Sequence, residues 1–358
     1  MAAQHIAIVG AGMAGITAAR TLAQAGHQVM VFDKSSGAGG RMATRRSPFG
    51  GFDHGAQYFT VRDPRMALAL QTVPDSLTHC RPWSANAVRV LDPSGRLVEA
   101  ARPGPEAHWV GVPGMSALVK HWAQPLADAG QLQLGHTVQS LQADPRKASR
   151  WSVHGVDADG HAWQQGGFDS VLLAMPAAQS AQLLQASPGR GAASGLIAPA
   201  LTVQTAPCWT LMLAFPQASQ PGLTHLGPQW NAARSTHHRI AWLARESSKP
   251  GRSSIERWTV QASAEWSMEH LNDDAERVQN KLQRAFAELT GIHSGPSHAQ
   301  AHLWRYAKTL QPLGKKHLWD PKLNLGVCGD WLLGHRVEDA FVSGLSLALR
   351  IADKKPVR

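Results

Sequence analysis

The chain has 358 residues, 43% hydrophobic and 17% charged, which excludes a disordered or highly charged tail protein and, at roughly 100–200 residues per domain, predicts two domains. Lys and Arg outnumber Asp and Glu by 35 to 25, a net charge of +10 with 18 His besides, and that excess predicts an anionic partner such as a phosphate. Nucleic acid is not expected, because the bases are scattered (Arg41, Arg45, Arg46; Arg62, Arg65; Arg146, Lys147, Arg150; Arg234, Arg239; Lys315, Lys316) and no basic block is interleaved with aromatics.

His5 to Gly10 reads as a strand apolar on both faces, as buried parallel strands are. Gly10-Ala-Gly12-Met13-Ala14-Gly15 then opens an Ala-rich helix that closes at Gly26, and Gln28 to Asp33 is a second buried strand. A G-x-G-x-x-G triplet alone is a weak signal; a strand before it, a helix after it and an acid 18 residues beyond Gly15, against ~20 expected, make a dinucleotide site. Gly10 permits the tight turn, Gly12 lets the backbone approach a pyrophosphate and Gly15 lets helix and strand pack closely. The helix N-terminus offers its free N–H groups to that pyrophosphate, and Asp33 is placed to accept from the adenosine ribose.

A second glycine cluster follows, Lys34-Ser-Ser-Gly37-Ala-Gly39-Gly40-Arg41, which puts bare backbone and a guanidinium beside the same pyrophosphate. Further on, Pro113 to Leu126 reads as a helix, Gly135 to Leu141 as a strand, Trp151 to Gln165 as short strands around Asp157-Ala-Asp-Gly160, and Phe168 to Ala174 as a buried strand. Ser187 to Pro199 reads as a loop, Trp209 to Phe215 and Ser254 to Ala262 as strands, and Asp273 to Leu289 as a helix with Ala275, Val278, Leu282, Ala285, Phe286 and Leu289 on one face. Near the C-terminus, Leu323 to Asp330 is a strand ending in Gly329-Asp330, followed by a helix in which Ala340, Gly344 and Ala348 recur every four residues. That spacing permits close packing on a sheet and sets Asp330 where a ribityl hydroxyl would lie, which a flavin needs and a nicotinamide alone does not.

With these residues in view, the chain resembles the flavin-dependent amine oxidase superfamily, of the glutathione-reductase-like FAD fold, and within it the bacterial renalase-like proteins. The matching stretches are 10–33, 37–41, Phe52-Asp-His54-Gly55-Ala56-Gln57-Tyr58-Phe-Thr60, 110–118, 168–176, His302-Leu-Trp304-Arg305-Tyr306-Ala307 and Cys328-Gly329-Asp330-Trp331. The resemblance implies an α/β fold: a discontinuous FAD-binding Rossmann domain at 1–62, 104–178 and 300–358, and a smaller α+β substrate domain at 63–103 and 179–299. It implies FAD held noncovalently by Gly10, Gly12, Met13, Ala14, Gly15, Asp33, Lys34, Gly40, Arg41, Gly55, Ala56, Gln57, Val138, Gly329, Asp330 and Ala340. The candidates beside the substrate are His54, Gln57, Tyr58, Trp304, Arg305 and Tyr306.

The implied activity is renalase-like: oxidation of dihydronicotinamide isomers of NAD(P) with O2, giving NAD(P)+ and hydrogen peroxide. Amine oxidation or a desaturase-like reaction on a small apolar substrate is the alternative, and a non-catalytic flavoprotein with an anionic partner is the third reading. Against amine oxidation, this chain has only two tyrosines, Tyr58 and Tyr306, for the aromatic cage of amine-oxidising members, and Lys308 is the only lysine near the motif for their flavin-linked lysine. Arg62, Arg65 and Arg234 fall at the expected rim of the substrate domain. No metal site is expected, and His237-His238 reads as a solvated loop. Cys80, Cys208 and Cys328 form neither a disulfide framework nor a metal pair. With no apolar run of about 18 residues, a cytoplasmic protein without a membrane span is expected.

Overall fold

The structure, a computed structural model, describes residues 3–83, 88–100, 106–147, 149–189, 191, 194–219 and 230–353. Its first half runs β1 (His5–Val9), α1 (Met13–Gln24), β2 (Gln28–Asp33), β3 (Thr44–Ser47), β4 (Gly50–Asp53), α2 (Pro64–Thr72), β5 (Cys80–Trp83), β6 (Val88–Leu91), β7 (Leu97–Ala100), β8 (His108–Gly111), α3 (Ser116–Asp128), β9 (Leu132–Leu134), β10 (Thr137–Ala143), β11 (Trp151–Val156), β12 (Ala162–Phe168) and β13 (Ser170–Leu173). The second half runs α4 (Ala177–Gln185), α5 (Ile197–Leu201), β14 (Gln204–Phe215), β15 (Ala232–Ser235), β16 (Ile240–Arg245), β17 (Glu256–Ala262), α6 (Ala264–Glu269), α7 (Ala275–Thr290), β18 (His298–Gln311), β19 (Leu318–Asp320), β20 (Leu325–Val327) and α8 (Val337–Ala352).

The apolar strands read at both ends of the chain meet in one sheet of order β19-β20-β13-β1-β2-β9, parallel except at the edge strand β19. It is the parallel nucleotide-binding sheet that the first forty residues imply. Helices α1 and α8 cover one face, and small residues set their approach: a Cβ on Gly344 would lie 2.1 Å from the Ala14 carbonyl oxygen, and one on Gly15 would lie 1.9 Å from that of Gly10. Gly344→Val should therefore force the two helices apart and cost more than the ~1–3 kcal/mol of ordinary overpacking. Thermal melts beside a Leu349→Val control, at an exposed position of the same helix, check this; equal melting temperatures would refute it.

A second sheet, β18-β14-β17-β16-β15-β6-β7, forms the other domain. Alternation gives it two unlike faces. Trp209, Leu211, Leu213, Leu243, Trp258 and Val260 pack with Val278, Leu282, Ala285, Phe286 and Leu289 of α7, while Ala275, the first residue of that helix, is exposed. The helix is bounded by the Asp274 carboxylate, which accepts from the Arg277 N–H at 2.8 Å, and by Gly291 at φ 72°. The opposite face turns Thr210, Gln261, Trp242 and His302 toward the nucleotide domain.

Two expectations shift. The stretch 300–311, expected in the nucleotide domain, belongs to β18, which pairs with β14 from His298 opposite Ala214 to Gln311 opposite Gln204, because Ala299, Ala301 and Leu303 complete the core beneath α7. The helix expected from Pro113 begins at Ser116, and the N–H of its N-cap Met115 donates to the Asp53 carboxylate at 2.8 Å. The loop expected over Ser187 to Pro199 lies partly outside the described residues, and its last part enters α5.

Candidate functional site

The nucleotide end is built at the carboxyl ends of β1 and β2. Gly10, at φ 113°, turns the chain so that its N–H reaches the Phe32 carbonyl at 2.8 Å. Asp33 closes β2 with its carboxylate, which accepts from the Ala11 N–H at 2.6 Å and the Ser35 N–H at 2.8 Å and so is aimed at the start of α1. Helix α1 starts at Gly12 with no side-chain cap and no acid in its first turn, and Met13 and Ala14 are 4% and 5% exposed. Amide N–H groups buried at an uncapped helix end require an acceptor. Gly12 and Gly39 form a bridge, and Gly12 faces Gly40, so bare backbone lines both sides of this point. Lys34 is exposed beside it. Bonds from Gly135 N to Ser35 O and His136 N to Asp33 O, at 3.0 and 2.9 Å, bring Val138 to the same end.

The other end is closed by residues from both termini. Arg41 Nη2 donates to Asp330 Oδ1 at 2.5 Å, and its Nη1 reaches the Tyr306 and Ala307 carbonyls at 3.5 and 3.4 Å. Gly329 is fixed through its N–H to Ser343 Oγ at 2.9 Å, with Ala340 one turn earlier on α8. A helix N-terminus without a side-chain cap, glycine backbone on either side and a carboxylate at each end are groups that fit FAD.

Between the domains lies the segment 53–58. Asp53, fully buried, receives Lys249 Nζ at 3.1 Å, Arg252 Nη2 at 2.6 Å, the Met115 N–H and the Thr44 hydroxyl at 2.7 Å. Burial alone would push the Asp53 carboxyl up, but Lys249 and then Arg252 hold it down at about 2. Lys249 also meets Glu246 Oε1 at 2.9 Å and Gln57 Oε1 at 3.3 Å. With its oxygen so engaged, the Gln57 amide donates to the carbonyls of Asp53 and Gly55, while Gln261 from the second sheet donates to Gly55 O at 2.7 Å. Gly55 is further pinned because a Cβ there would lie 2.0 Å from the Arg41 carbonyl oxygen, and Ala56 N donates to that oxygen at 2.8 Å. Buried charges from the second domain thus hold the segment that runs past Arg41.

On the His54 and Tyr58 side of this segment the neighbouring rings are aromatic. His54, 4% exposed, lies 4.9 Å from the His302 ring and 5.1 Å from that of Trp304, whose indole N–H donates to His54 O at 2.8 Å. Burial, then the neighbouring His302 and Arg45, bring the His54 imidazole down to about 4, and its buried Nδ1 has no partner. It is neutral at pH 7. Tyr58 stacks on His108 at 4.0 Å and lies 5.8 Å from the Trp242 ring. Arg305 is exposed and, by alternation along β18, points away from the side that carries Trp304. Tyr306 contributes its carbonyl to Arg41.

Sequence reasoning missed several of these groups. Lys308, the only lysine it placed nearby, is exposed, whereas Lys249 is the lysine at segment 53–58. Glu246, Arg252, Gln261 and His302 were also missed; the one available signal was the polar run Glu246 to Arg252 directly after an apolar strand. Arg62 pairs with Glu106, and Arg65 with Asp63 at 2.6 Å, so neither rim arginine is an uncompensated charge. His237 is buried, not solvated, and meets Glu288 at 3.3 Å. Among the described residues the one cluster of possible metal ligands is Asp157, Asp159 and His161, on the turn between β11 and β12, where Asp157 serves the backbone N–H groups of Asp159 and His161.

The fold and the nucleotide end define the class of α/β proteins that hold a dinucleotide cofactor on a Rossmann sheet. Residues 104–352 match the flavin containing amine oxidoreductase family, and residues 8–71 match an NAD(P)-binding Rossmann-like domain. The chain belongs to the flavin containing amine oxidoreductase family, and its cofactor is FAD. An L-amino acid oxidase of Lachesis muta is 57% identical over 44 residues, 12% of this chain and 8% of that protein. An L-amino-acid oxidase of Bothrops pauloensis is 57% identical over 44 residues, 12% of this chain and 9% of that protein. The chain thus spans less than a tenth of the length of these curated relatives. A solved protoporphyrinogen oxidase-like protein from Exiguobacterium sp. 255-15 superposes with a TM-score of 0.72 over 98% of this chain and 99% of its own, at 12% identity, a likeness of fold. No helix among the described residues is long and apolar enough to cross a membrane.

Proposed function

We propose that this chain is a renalase-like oxidase that removes a hydride from dihydronicotinamide isomers of NAD(P) and delivers the electrons to O2, so that substrate, O2 and one proton give NAD(P)+ and hydrogen peroxide. The observation that carries this reading is the weak basicity of the two buried ionisable groups of segment 53–58, Asp53 at about 2 and His54 at about 4. His54 is neutral with its imidazole at about 4, and the Lys249 ammonium is fully buried between Asp53 and Glu246. A dihydropyridine needs no base, because the ring nitrogen lone pair drives the hydride out and no N–H is lost. An amine must first be neutral, which an adjacent base assists.

FAD supplies the hydride acceptor and the route of electrons to O2. The chain supplies position and dryness. In this reading Met13, Ala14, Gly12, Gly40, Lys34 and Arg41 hold the pyrophosphate, Asp33 and Val138 the adenosine, and Gly329, Asp330 and Ala340 the ribityl end. Gly55, Ala56 and Gln57 form the platform, and His54, Trp304, Tyr58 and Tyr306 line the substrate side and exclude water. A cytoplasmic location belongs to the same reading. A second reading, oxidation of an amine or amino acid, draws on the L-amino-acid oxidase relatives.

His54→Ala should lower turnover far less than the 10²–10⁴-fold of a lost general base. Peroxide release from dihydronicotinamides by wild type and variant tests this, with small amines and L-amino acids run in parallel. A collapse of activity in the variant, or peroxide from the amines alone, would favour the second reading.

A further inference from the structure

One row of paired residues crosses the inner face of the second sheet. His302 of β18 is opposite Thr210 of β14, Thr210 opposite Gln261 of β17, Gln261 opposite Trp242 of β16, and Trp242 opposite Arg234 of β15. Residues directly opposed in antiparallel strands share a face, with Cβ atoms about 5 Å apart. Three members of the row touch the segment below: the His302 ring meets His54, Gln261 donates to Gly55 O, and the Trp242 ring meets Tyr58. The row therefore spans the substrate side from end to end.

Its two ends differ in chemistry. At the His302 end, imidazole and indole rings surround His54. At the other end Arg234 is exposed and pairs with no carboxylate among the described residues, whereas Arg62, Arg65 and Arg245 each hold one. Beside it Trp242 is 9% exposed, and its indole N–H is buried without an acceptor. A buried donor left unpaired in a folded protein calls for an explanation, and beside an exposed arginine an anionic acceptor from a ligand supplies one. His108, stacked on Tyr58, completes this corner; burial and then the Arg234 charge hold its imidazole below the usual histidine range, which sets Arg234 near this ring pair.

We propose that Arg234 and the Trp242 indole N–H form an anion subsite of the substrate pocket, with Tyr58 and His108 as its stacking wall. It holds a phosphate or carboxylate of the substrate two strand spacings, roughly 10 Å, from the Gly55 carbonyl. The inference rests on the reading of a dihydronicotinamide nucleotide as substrate and deepens it: the charge is carried well away from the oxidised ring. An α-amino acid cannot use this subsite while reacting at the flavin platform, because its carboxylate is bonded to the carbon that loses the hydride.

Calorimetric titration of the FAD-loaded full chain tests the subsite without turnover. One pair of probes is nicotinamide mononucleotide and the riboside that lacks its phosphate; the other is indole-3-propionate and its neutral amide. In wild type at least one anion should bind tenfold or more tighter than its neutral partner, the first pair marking a phosphate site and the second a carboxylate site. Arg234→Ala should erase that difference while leaving the neutral probe unchanged, Arg234→Lys should restore part of it, and Trp242→Phe should lose part. Equal affinity of anion and neutral probe in wild type, or an Arg234→Ala variant that binds the anion as wild type does or weakens both probes alike, would overturn the subsite. Failure of dihydronicotinamides to reduce the flavin would refute the proposed activity instead, and that failure is read in a separate experiment.

Discussion

Lys249→Met should destabilise the protein by about 3–5 kcal/mol at pH 7, the cost of leaving a buried charge without its partner. Lys249 Nζ is the shared partner of Asp53 and Glu246, and both carboxylates have no exposed side-chain surface. Asp53 would keep Arg252 at 2.6 Å, but Glu246 would keep only the Thr259 hydroxyl at 2.8 Å and the Asp53 N–H at 3.3 Å. The loss should therefore fall mainly on Glu246, and Glu246→Gln in the same chain should recover a large part of it, a coupling that a double-mutant cycle in denaturant measures. Additive losses would show that the ammonium acts only by packing. In wild type the pH dependence has a defined sign. Asp53 is held down at about 2, below the ordinary 3.8, so its contribution is fully present above about pH 4 and is lost as pH falls toward 2. Stability that does not fall across that window would contradict the ion cluster.

Asp330→Ala should weaken FAD binding by about ten- to a hundredfold, and Asp33→Ala similarly, since hydrogen bonds to a charged group contribute about 1.5–3 kcal/mol. In Asp330→Ala the Arg41 guanidinium loses its carboxylate, and the Gly39 to Arg41 turn loses its anchor on the turn that follows β20. In Asp33→Ala the Ala11 and Ser35 N–H groups lose their acceptor. Retained flavin after filtration through a membrane, read by absorbance, measures the effect. Wild-type retention in both variants would remove Asp33 and Asp330 from the cofactor site.

The nucleotide domain was legible because its constraints are local. Gly10, Gly12 and Gly15 are needed by sterics within one turn, and β1, β2, β13 and β20 are apolar on both faces because α1 and α8 cover one face and strands β10 to β12 with α4 cover the other. The second domain was legible strand by strand at β14 and β17, whose alternate residues form one apolar face, but its boundary was not. Residues 300–311 follow the same alternation as β14, and only the pairing of His298 with Ala214 reveals which sheet they join. The charged cluster was invisible for a related reason. Asp53 and its partners Lys249 and Arg252 are 196 and 199 residues apart, and no spacing rule links a lysine in a polar turn to an acid at a strand end. The same distance hid the row from His302 to Arg234, which exists only in the register of five strands.

The proposed chemistry turns on what reduces the flavin. Anaerobic mixing of the FAD-loaded protein with a panel of dihydronicotinamide dinucleotide isomers, small amines and L-amino acids, with the oxidised flavin absorbance followed in time, tests it most directly. Rapid bleaching by at least one dihydronicotinamide isomer, with none by the amines or amino acids, is the expected result. Bleaching by an amine or an L-amino acid with no reduction by any dihydronicotinamide would contradict it and assign the enzyme to amine oxidation.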